Sequence, residues 1–241
     1  MNSGQGLDYH FISGYGHGGA TSFEACSGSL NRSDMENLSN PIHSEILYLT
    51  HCETMEYHKD CVAERFINAV NGGVTVFGNT HFGWTGHPSS YTSYLVNKLY
   101  YENPLIGNSY NKTKIRYNSS SFKDGNSRWT FFALNMSSDP EMQVWTNNPQ
   151  ILTATNPTQV YTGEQTIGIT INSLAANVVA TVCLYKENEV YKVDEITGTG
   201  SPLIINLGCT PDTPGIMALT ITAHNYIPVD RTINVVVNPG T

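Results

Sequence analysis

Apolar residues in the first part of the chain come in short unbroken runs, at residues 9–13, 45–50 and 74–77, separated by polar and glycine-rich stretches. The run at 45–50 has polar residues on both sides, which predicts a strand buried on both faces of a parallel sheet. Between the runs the period changes. Cys61, Val62, Phe66, Ile67 and Val70 recur at three- and four-residue steps and predict an amphipathic helix stopped by Asn71-Gly-Gly73. Ser33 with Glu36 three residues later has the spacing of a capping box and predicts a short helix closed by Pro41. Strand, helix, strand, helix, strand makes two right-handed βαβ units, whose C-terminal strand ends form a ligand crevice.

Tyr94, Leu95, Lys98 and Leu99 predict a further helix over residues 91–102, ended by Pro104. Residues 107–128 show no period and read as a long loop, residues 129–134 as another strand, and residues 139–145 as a turn with a short extension. After Asn147-Asn-Pro149 the pattern becomes short alternating runs at 165–172, 178–185, 203–207, 217–224 and 231–237, spaced as in a β-sandwich. The division this predicts is an α/β domain over residues 1–147 and an all-β domain over residues 148–241.

Two of the buried strands stop at reactive side chains. Phe11-Ile-Ser-Gly-Tyr-Gly-His-Gly-Gly19 carries His17 among four glycines, which permit positive φ and close backbone approach to a ligand. Ile46-Leu-Tyr-Leu-Thr-His-Cys52 ends at a thiol, and the loop Gly78-Asn-Thr-His-Phe-Gly-Trp84 follows the third strand. All three would lie along one sheet edge. Cysteine attacks as the thiolate, which a neighbouring imidazole favours, and adjacent strands lie roughly 5 Å apart, so His17 and Cys52 suit a nucleophile and its base. Plainer alternatives stay open: Cys52 as a buried structural thiol, His17 as a hydrogen-bonding loop residue. Another alternative gathers His51, Cys52, His58 and Cys61 into a zinc site, although His51 and Cys52 point to opposite sides of a strand. Cys61, in step with Phe66 and Ile67, is most simply core.

Composition narrows the partners. With 12 basic against 20 acidic residues the net charge is −8, which argues against phosphate-backbone binding. No apolar run reaches the length of a membrane span, and the N-terminus lacks the pattern of a signal peptide. Five cysteines without a CxxC pair do not form a disulfide framework. Strand positions suggest one bridge, Cys183 to Cys209. The abundance of Asn, Ser, Thr, Gly and Tyr with only 13% charged residues suits an extracellular or cell-surface protein. The sequons at Asn31 and Asn111 arise readily by chance in an Asn-rich chain.

The His17 run resembles the His-Gly motif of the gingipain-like cysteine peptidases, peptidase family C25, which share the caspase-like fold. Asn37-Leu-Ser-Asn40, Thr50-His-Cys52, Cys61-Val-Ala-Glu-Arg-Phe66, Gly72-Gly-Val-Thr-Val-Phe77 and Ser138-Asp-Pro-Glu-Met-Gln-Val-Trp145 are similar to the same family in the same order. The resemblance implies a caspase-like α/β parallel sheet, a cysteine endopeptidase with Cys52 as nucleophile and His17 as general base, an oxyanion hole from the backbone N–H groups of Gly18 and Cys52, and Trp84 walling the substrate pocket. It implies protein or peptide substrates and no required cofactor, and it allows structural calcium. It also implies that residues 148–241 are an immunoglobulin-like sandwich. Family members carry further strands and an acidic residue that orients the catalytic histidine upstream of the His-Gly motif. Only about ten residues precede it here, so a further N-terminal segment of the catalytic domain is expected as a partner. The competing reading is a non-catalytic surface or adhesion protein whose sandwich does the binding.

Overall fold

The computed structural model describes residues 10–26, 28–39, 46–84 and 88–239. Residues 1–7 and Pro41, on which two expectations rest, lie outside this set. The chain divides into two compact units, Met1–Thr146 and Asn147–Thr241.

The first unit runs β1 (Phe11–Gly14), β2 (Gly18–Gly19), β3 (Ser22–Ala25), β4 (Gly28–Asn31), α1 (Arg32–Glu36), β5 (Ile46–Leu49), α2 (Val62–Asn68), β6 (Thr75–Asn79), α3 (Pro88–Tyr101), α4 (Ile106–Ser121), α5 (Gly125–Ala133) and β7 (Leu134–Ser137). Its main sheet has the order β1-β5-β6-β7. β1 pairs parallel with β5 from Phe11 opposite Ile46 to Gly14 opposite Leu49, and β5 pairs parallel with β6. β7 pairs antiparallel with β6, so the sheet is mixed rather than wholly parallel. β2, β3 and β4 form a small antiparallel meander that the sequence pattern did not reveal.

β5 shows why the fold holds. All four of its residues are buried, and the period of two sends them to opposite faces. Leu47 and Leu49 pack with Val76, Met35, Val62 and Phe66 on one side, under α1 and α2. Ile46 and Tyr48 pack with Phe77, Leu95, Leu99 and Ile106 on the other, under α3 and α4. Gly72 lets the chain turn back after α2, because a Cβ there would lie 1.8 Å from the Phe66 carbonyl oxygen.

Three local expectations are corrected. α1 starts two residues early, since Asn31 rather than Ser33 is its N-cap: the Asn31 side chain accepts from the N–H groups of Ser33 and Asp34, and the Asp34 carboxylate accepts from the Asn31 N–H. The expected loop at 107–128 is mostly helix. The buried positions of α4 are Ile106, Ser109, Thr113 and Ser121, which have helical spacing but mostly polar side chains, and the Thr113 hydroxyl donates to the Ser109 carbonyl at 2.8 Å. The expected strand at 129–134 is the end of α5, capped by Asp124, with Trp129 and Phe132 turned outward and Thr130 and Ala133 inward.

The second unit is all-β: β8 (Gln150–Ile151), β9 (Ala154–Thr155), β10 (Gln159–Tyr161), β11 (Gln165–Ile171), β12 (Val179–Lys186), β13 (Glu189–Thr197), β14 (Leu203–Cys209), β15 (Gly215–Ala223), β16 (Tyr226–Ile227) and β17 (Val229–Val236). A five-stranded sheet, β10-β17-β15-β12-β13, and a three-stranded sheet, β14-β11-β9, share one core that includes Ile167, Ile169, Leu184, Leu207, Leu219 and Ile233. Cys183 and Cys209 are free thiols. Cys209 faces the core, whereas Cys183 alternates with the buried Val182 and Leu184 and so stands on the outer face of its sheet, which corrects the expected bridge.

Lys114 of α4, in the first unit, is a half-buried cation. Its Nζ donates to the carbonyls of Phe131 and Leu134 and lies over the Phe131 ring, and burial pushes its pKa down to about 8. Between there and the ordinary lysine value of about 10.4 the unfolded chain binds the extra proton, so this group adds stability as pH rises. Urea unfolding at pH 7.5 and 9.5 should show the parent gaining stability relative to a Lys114→Met variant over that interval.

Candidate active site

The parallel pairing of β1 with β5 brings the two reactive loops to one sheet edge. It is continued by one bond past the strand ends, since Thr50 N–H donates to the Gly14 carbonyl at 3.0 Å and the Thr50 hydroxyl reaches the same oxygen at 3.1 Å. β1 then leads into residues 15–17 and β5 into a tight turn with Glu53 at φ 56°. His17 is exposed and Cys52 half-buried. A Cβ on Gly18 would lie 3.3 Å from the Cys52 carbonyl oxygen, so the two loops touch.

The turn carrying Cys52 is tied to the end of β6 by backbone groups. Glu53 N–H donates to the His81 carbonyl at 3.1 Å and Met55 N–H to the Asn79 carbonyl at 3.1 Å. The Asn79 side chain donates to the His51 carbonyl at 3.0 Å. Gly83 N–H points at the Cys52 sulfur, 3.3 Å away, and Trp84, half exposed, is the next residue. A Cβ on Gly83 would meet Asn79 Nδ2 at 2.7 Å and the Thr50 carbonyl oxygen at 2.9 Å, so only glycine lets the loop pass this close. Behind it, the Trp129 indole donates to the Phe82 carbonyl at 2.6 Å and packs on His81 with ring centroids 5.0 Å apart. His17, Cys52 and Trp84 thus sit on loops leaving the C-terminal ends of β1, β5 and β6, and Gly18 opens β2 immediately after the first of them.

The glycines around His17 serve a different purpose from the one expected. Gly14, Gly16, Gly18 and Gly19 are not among the positive-φ residues. Instead, Cβ atoms on three of them would strike His51: Gly14 at 2.8 Å from Cε1, Gly16 at 3.3 Å from Nε2, and Gly18 at 2.8 Å from Cβ. His51 is completely buried, tilted on Phe23 with centroids 5.1 Å apart, and its Nε2 lies 3.0 Å from the Glu24 carbonyl oxygen. An acceptor there requires the hydrogen on Nε2. Nδ1 is buried without a hydrogen-bond partner.

Burial therefore lowers the pKa of His51, with the Glu24 carbonyl and charge opposing it. The zinc alternative dissolves on these positions: His51 lies under the meander, His58 is exposed beside Glu56 at 3.3 Å, and Cys61 is buried at the start of α2. Among the described residues no group of three or more His, Cys, Asp or Glu side chains is arranged to hold a metal ion.

Reasoning from sequence missed Glu24. Its Oε2 accepts the His17 N–H at 3.0 Å, and its own N–H donates to the His17 carbonyl at 2.9 Å. The hairpin that brings it there has strands of two and four residues, too short to leave an alternating pattern in the sequence.

With this geometry in hand, comparison with known proteins gives a consistent result. The model of peptidase family C25 matches residues 1–145. Among solved structures, the Arg-specific cysteine proteinase gingipain R superposes on 93% of this chain and 52% of its own, at 17% identity and a TM-score of 0.63. The complex of Porphyromonas gingivalis RgpB pro- and mature domains covers 93% of this chain and 54% of its own, at 17% identity and a TM-score of 0.60. At such identity the likeness is one of fold, and it fits a caspase-like α/β domain. The chain spans about half the length of these structures. No curated protein matches it.

Two measurements check the packing at this edge. Gly18→Ala should destabilise the protein by about 1–3 kcal/mol in urea unfolding, because its Cβ meets His51 Cβ and the Cys52 carbonyl. Gly19→Ala, with open space around the added atom, should stay within about 0.5 kcal/mol of the parent. A histidine held neutral by burial contributes stability that is present above its ordinary pKa of about 6.5 and lost as pH falls through the lowered folded value. Stability should accordingly drop with acidification below pH ~6.5, and His51→Gln should flatten that drop.

Proposed function

Since the chain belongs to peptidase family C25, the gingipain-like cysteine peptidases, we propose that it hydrolyses peptide bonds through a thioester on Cys52. The observation that supports this most is the contact between the loops of His17 and Cys52 at the C-terminal ends of two paired strands, with Gly83 N–H on the Cys52 sulfur. His17 accepts the thiol proton as Cys52 Sγ attacks the scissile carbonyl carbon and a C–S bond forms. The backbone N–H groups of Gly18 and Cys52 face the developing oxyanion, and such donors typically contribute about 2.7 to 4 kcal/mol each. Collapse of the tetrahedral adduct breaks the C–N bond, and His17 returns the proton to the leaving amine. A water molecule, deprotonated by His17, then cleaves the thioester and frees Cys52.

Trp84, half exposed and one residue beyond the Cys52 contact, walls the pocket for the side chain preceding the scissile bond. Protein or peptide substrates outside the cell fit the family and the sparsely charged, Asn- and Tyr-rich composition, and no helix among the described residues is long and apolar enough to cross a membrane. The second unit acts as an immunoglobulin-like support for the catalytic part, a reading its two facing sheets favour. β1 ends the sheet among the described residues, and this reading expects a further strand of the same catalytic domain beside it.

The experiment is direct. Cys52→Ala and His17→Ala should each lower hydrolysis of a denatured protein substrate by at least about 10³-fold, and Cys52→Ala should abolish labelling by a thiol-directed acyloxymethyl ketone. Undiminished labelling of the Cys52→Ala protein would move the nucleophile elsewhere.

A further inference from the structure

The mechanism employs His17 and Cys52 but leaves unused the two residues that join their loops. Both backbone polar groups of His17 end on Glu24: its N–H on Oε2 at 3.0 Å, its carbonyl on the Glu24 N–H at 2.9 Å. The carbonyl of that same Glu24 accepts the Nε2 hydrogen of His51 at 3.0 Å, and His51 is the residue before Cys52. The path from candidate base to candidate nucleophile therefore runs His17, Glu24, His51, Cys52, through three hydrogen bonds and one peptide bond.

Resting on the peptidase reading of the site, we infer that Glu24 and His51 are positioning residues. Together they form a clamp that sets where the His17 backbone stands relative to the Cys52 turn. Strand pairing alone cannot do this. The bonds between β1 and β5 end at Gly14 and Thr50, three residues short of His17 and two short of Cys52, and the meander β2–β3 fixes His17 only against Glu24. His51 closes that gap. Its ring is completely buried, packs on Phe23, and occupies the space left by Gly14, Gly16 and Gly18, so it has one available orientation. The requirement for hydrogen on Nε2, with Nδ1 buried and bare, selects one neutral tautomer as the working form.

The roles differ in what each tolerates. Any residue at position 24 supplies the backbone N–H and carbonyl, but only a side chain with an oxygen at that reach accepts the His17 N–H. Glutamine keeps that oxygen and alanine removes it. Gly16 belongs to the same device, since a Cβ there would come within 3.0 Å of Glu24 Oε2 and 3.3 Å of His51 Nε2. Misplacing a catalytic group by about 1 Å costs on the order of 10²-fold in rate, which sets the size of effect to look for.

The test uses the full chain labelled with ¹⁵N-histidine, reading amide exchange at His17 and the ring nitrogens of His51, alongside kcat and KM on a peptide the parent cleaves. Glu24→Ala should speed His17 amide exchange by about tenfold or more and lower kcat by about 10- to 100-fold with KM within about twofold. Glu24→Gln should return both to within about threefold of the parent. His51→Ala should lower kcat similarly, and the double variant should lose no more than the worse single one, as expected of residues acting as a unit. Urea midpoints of Glu24→Ala and Glu24→Gln should agree, so that a kcat difference between them reports position rather than folding. A Glu24→Ala protein with exchange and kcat within about twofold of the parent overturns the clamp, and so does a Gln variant no better than Ala. If Cys52→Ala keeps full activity, the peptidase reading falls instead, and His17 exchange in Glu24→Ala against Glu24→Gln still decides the clamp by itself.

Discussion

The parallel register of β1 on β5 is the constraint from which the reactive edge follows. With Phe11 opposite Ile46 and Gly14 opposite Leu49, the two chains leave the sheet level with each other. A slip by one residue would turn Leu47 and Leu49 away from Phe66 and Val76 and set Ile46 and Tyr48 against α2. Because β5 is buried on both faces, each face selects its own side chains, and the register is fixed twice over. The separation of the His17 and Cys52 loops is thereby inherited from core packing that lies below the edge and takes no part in chemistry.

What the core does not fix, backbone hydrogen bonds do. The turn from His51 to Met55 is held by Asn79, His81 and Gly83 from the end of β6, and the loop of His17 by Glu24 from the meander. Ion pairs have little part in it. The strongest charged cluster of the unit, Arg65 with Asp60 and Glu36, lies at α2 and on the surface, where such pairs contribute little. A chain with so few charged residues holds its reactive edge with directional bonds to peptide groups, which stay in place as salt concentration changes.

Much of this was legible in the sequence where burial was apolar and regular. Residues 45–50 announced a strand buried on both faces, α2 announced itself through Cys61, Phe66 and Ile67, and the runs after residue 149 announced β11, β12, β14, β15 and β17. The failures share a cause. α4 buries Ser109, Thr113 and Ser121, so its inward stripe is polar and carries no hydrophobic period. α5 exposes Trp129 and Phe132, so its apolar run mimics a strand. β13 lies at the edge of its sheet with mostly exposed residues, and nothing apolar alternates along it. At the candidate site, the strand ends bearing His17 and Cys52 could be read, whereas Glu24 could not, since its role depends on a hairpin whose strands are two and four residues long.

The glycine run shows how a correct signal can carry the wrong physics. Gly14, Gly16 and Gly18 alternate with Tyr15 and His17, and in this structure their missing side chains make room for one imidazole rather than for an unusual backbone angle. Burying His51 flattens that side of the chain and leaves the intervening residues, Tyr15 and His17, on the exposed side. The exposure of His17 and the burial of His51 are then two results of one packing arrangement. A side chain at any of the three glycines would have to push the loop outward or displace His51, and either movement would be passed to Cys52 through the peptide bond that joins it to His51.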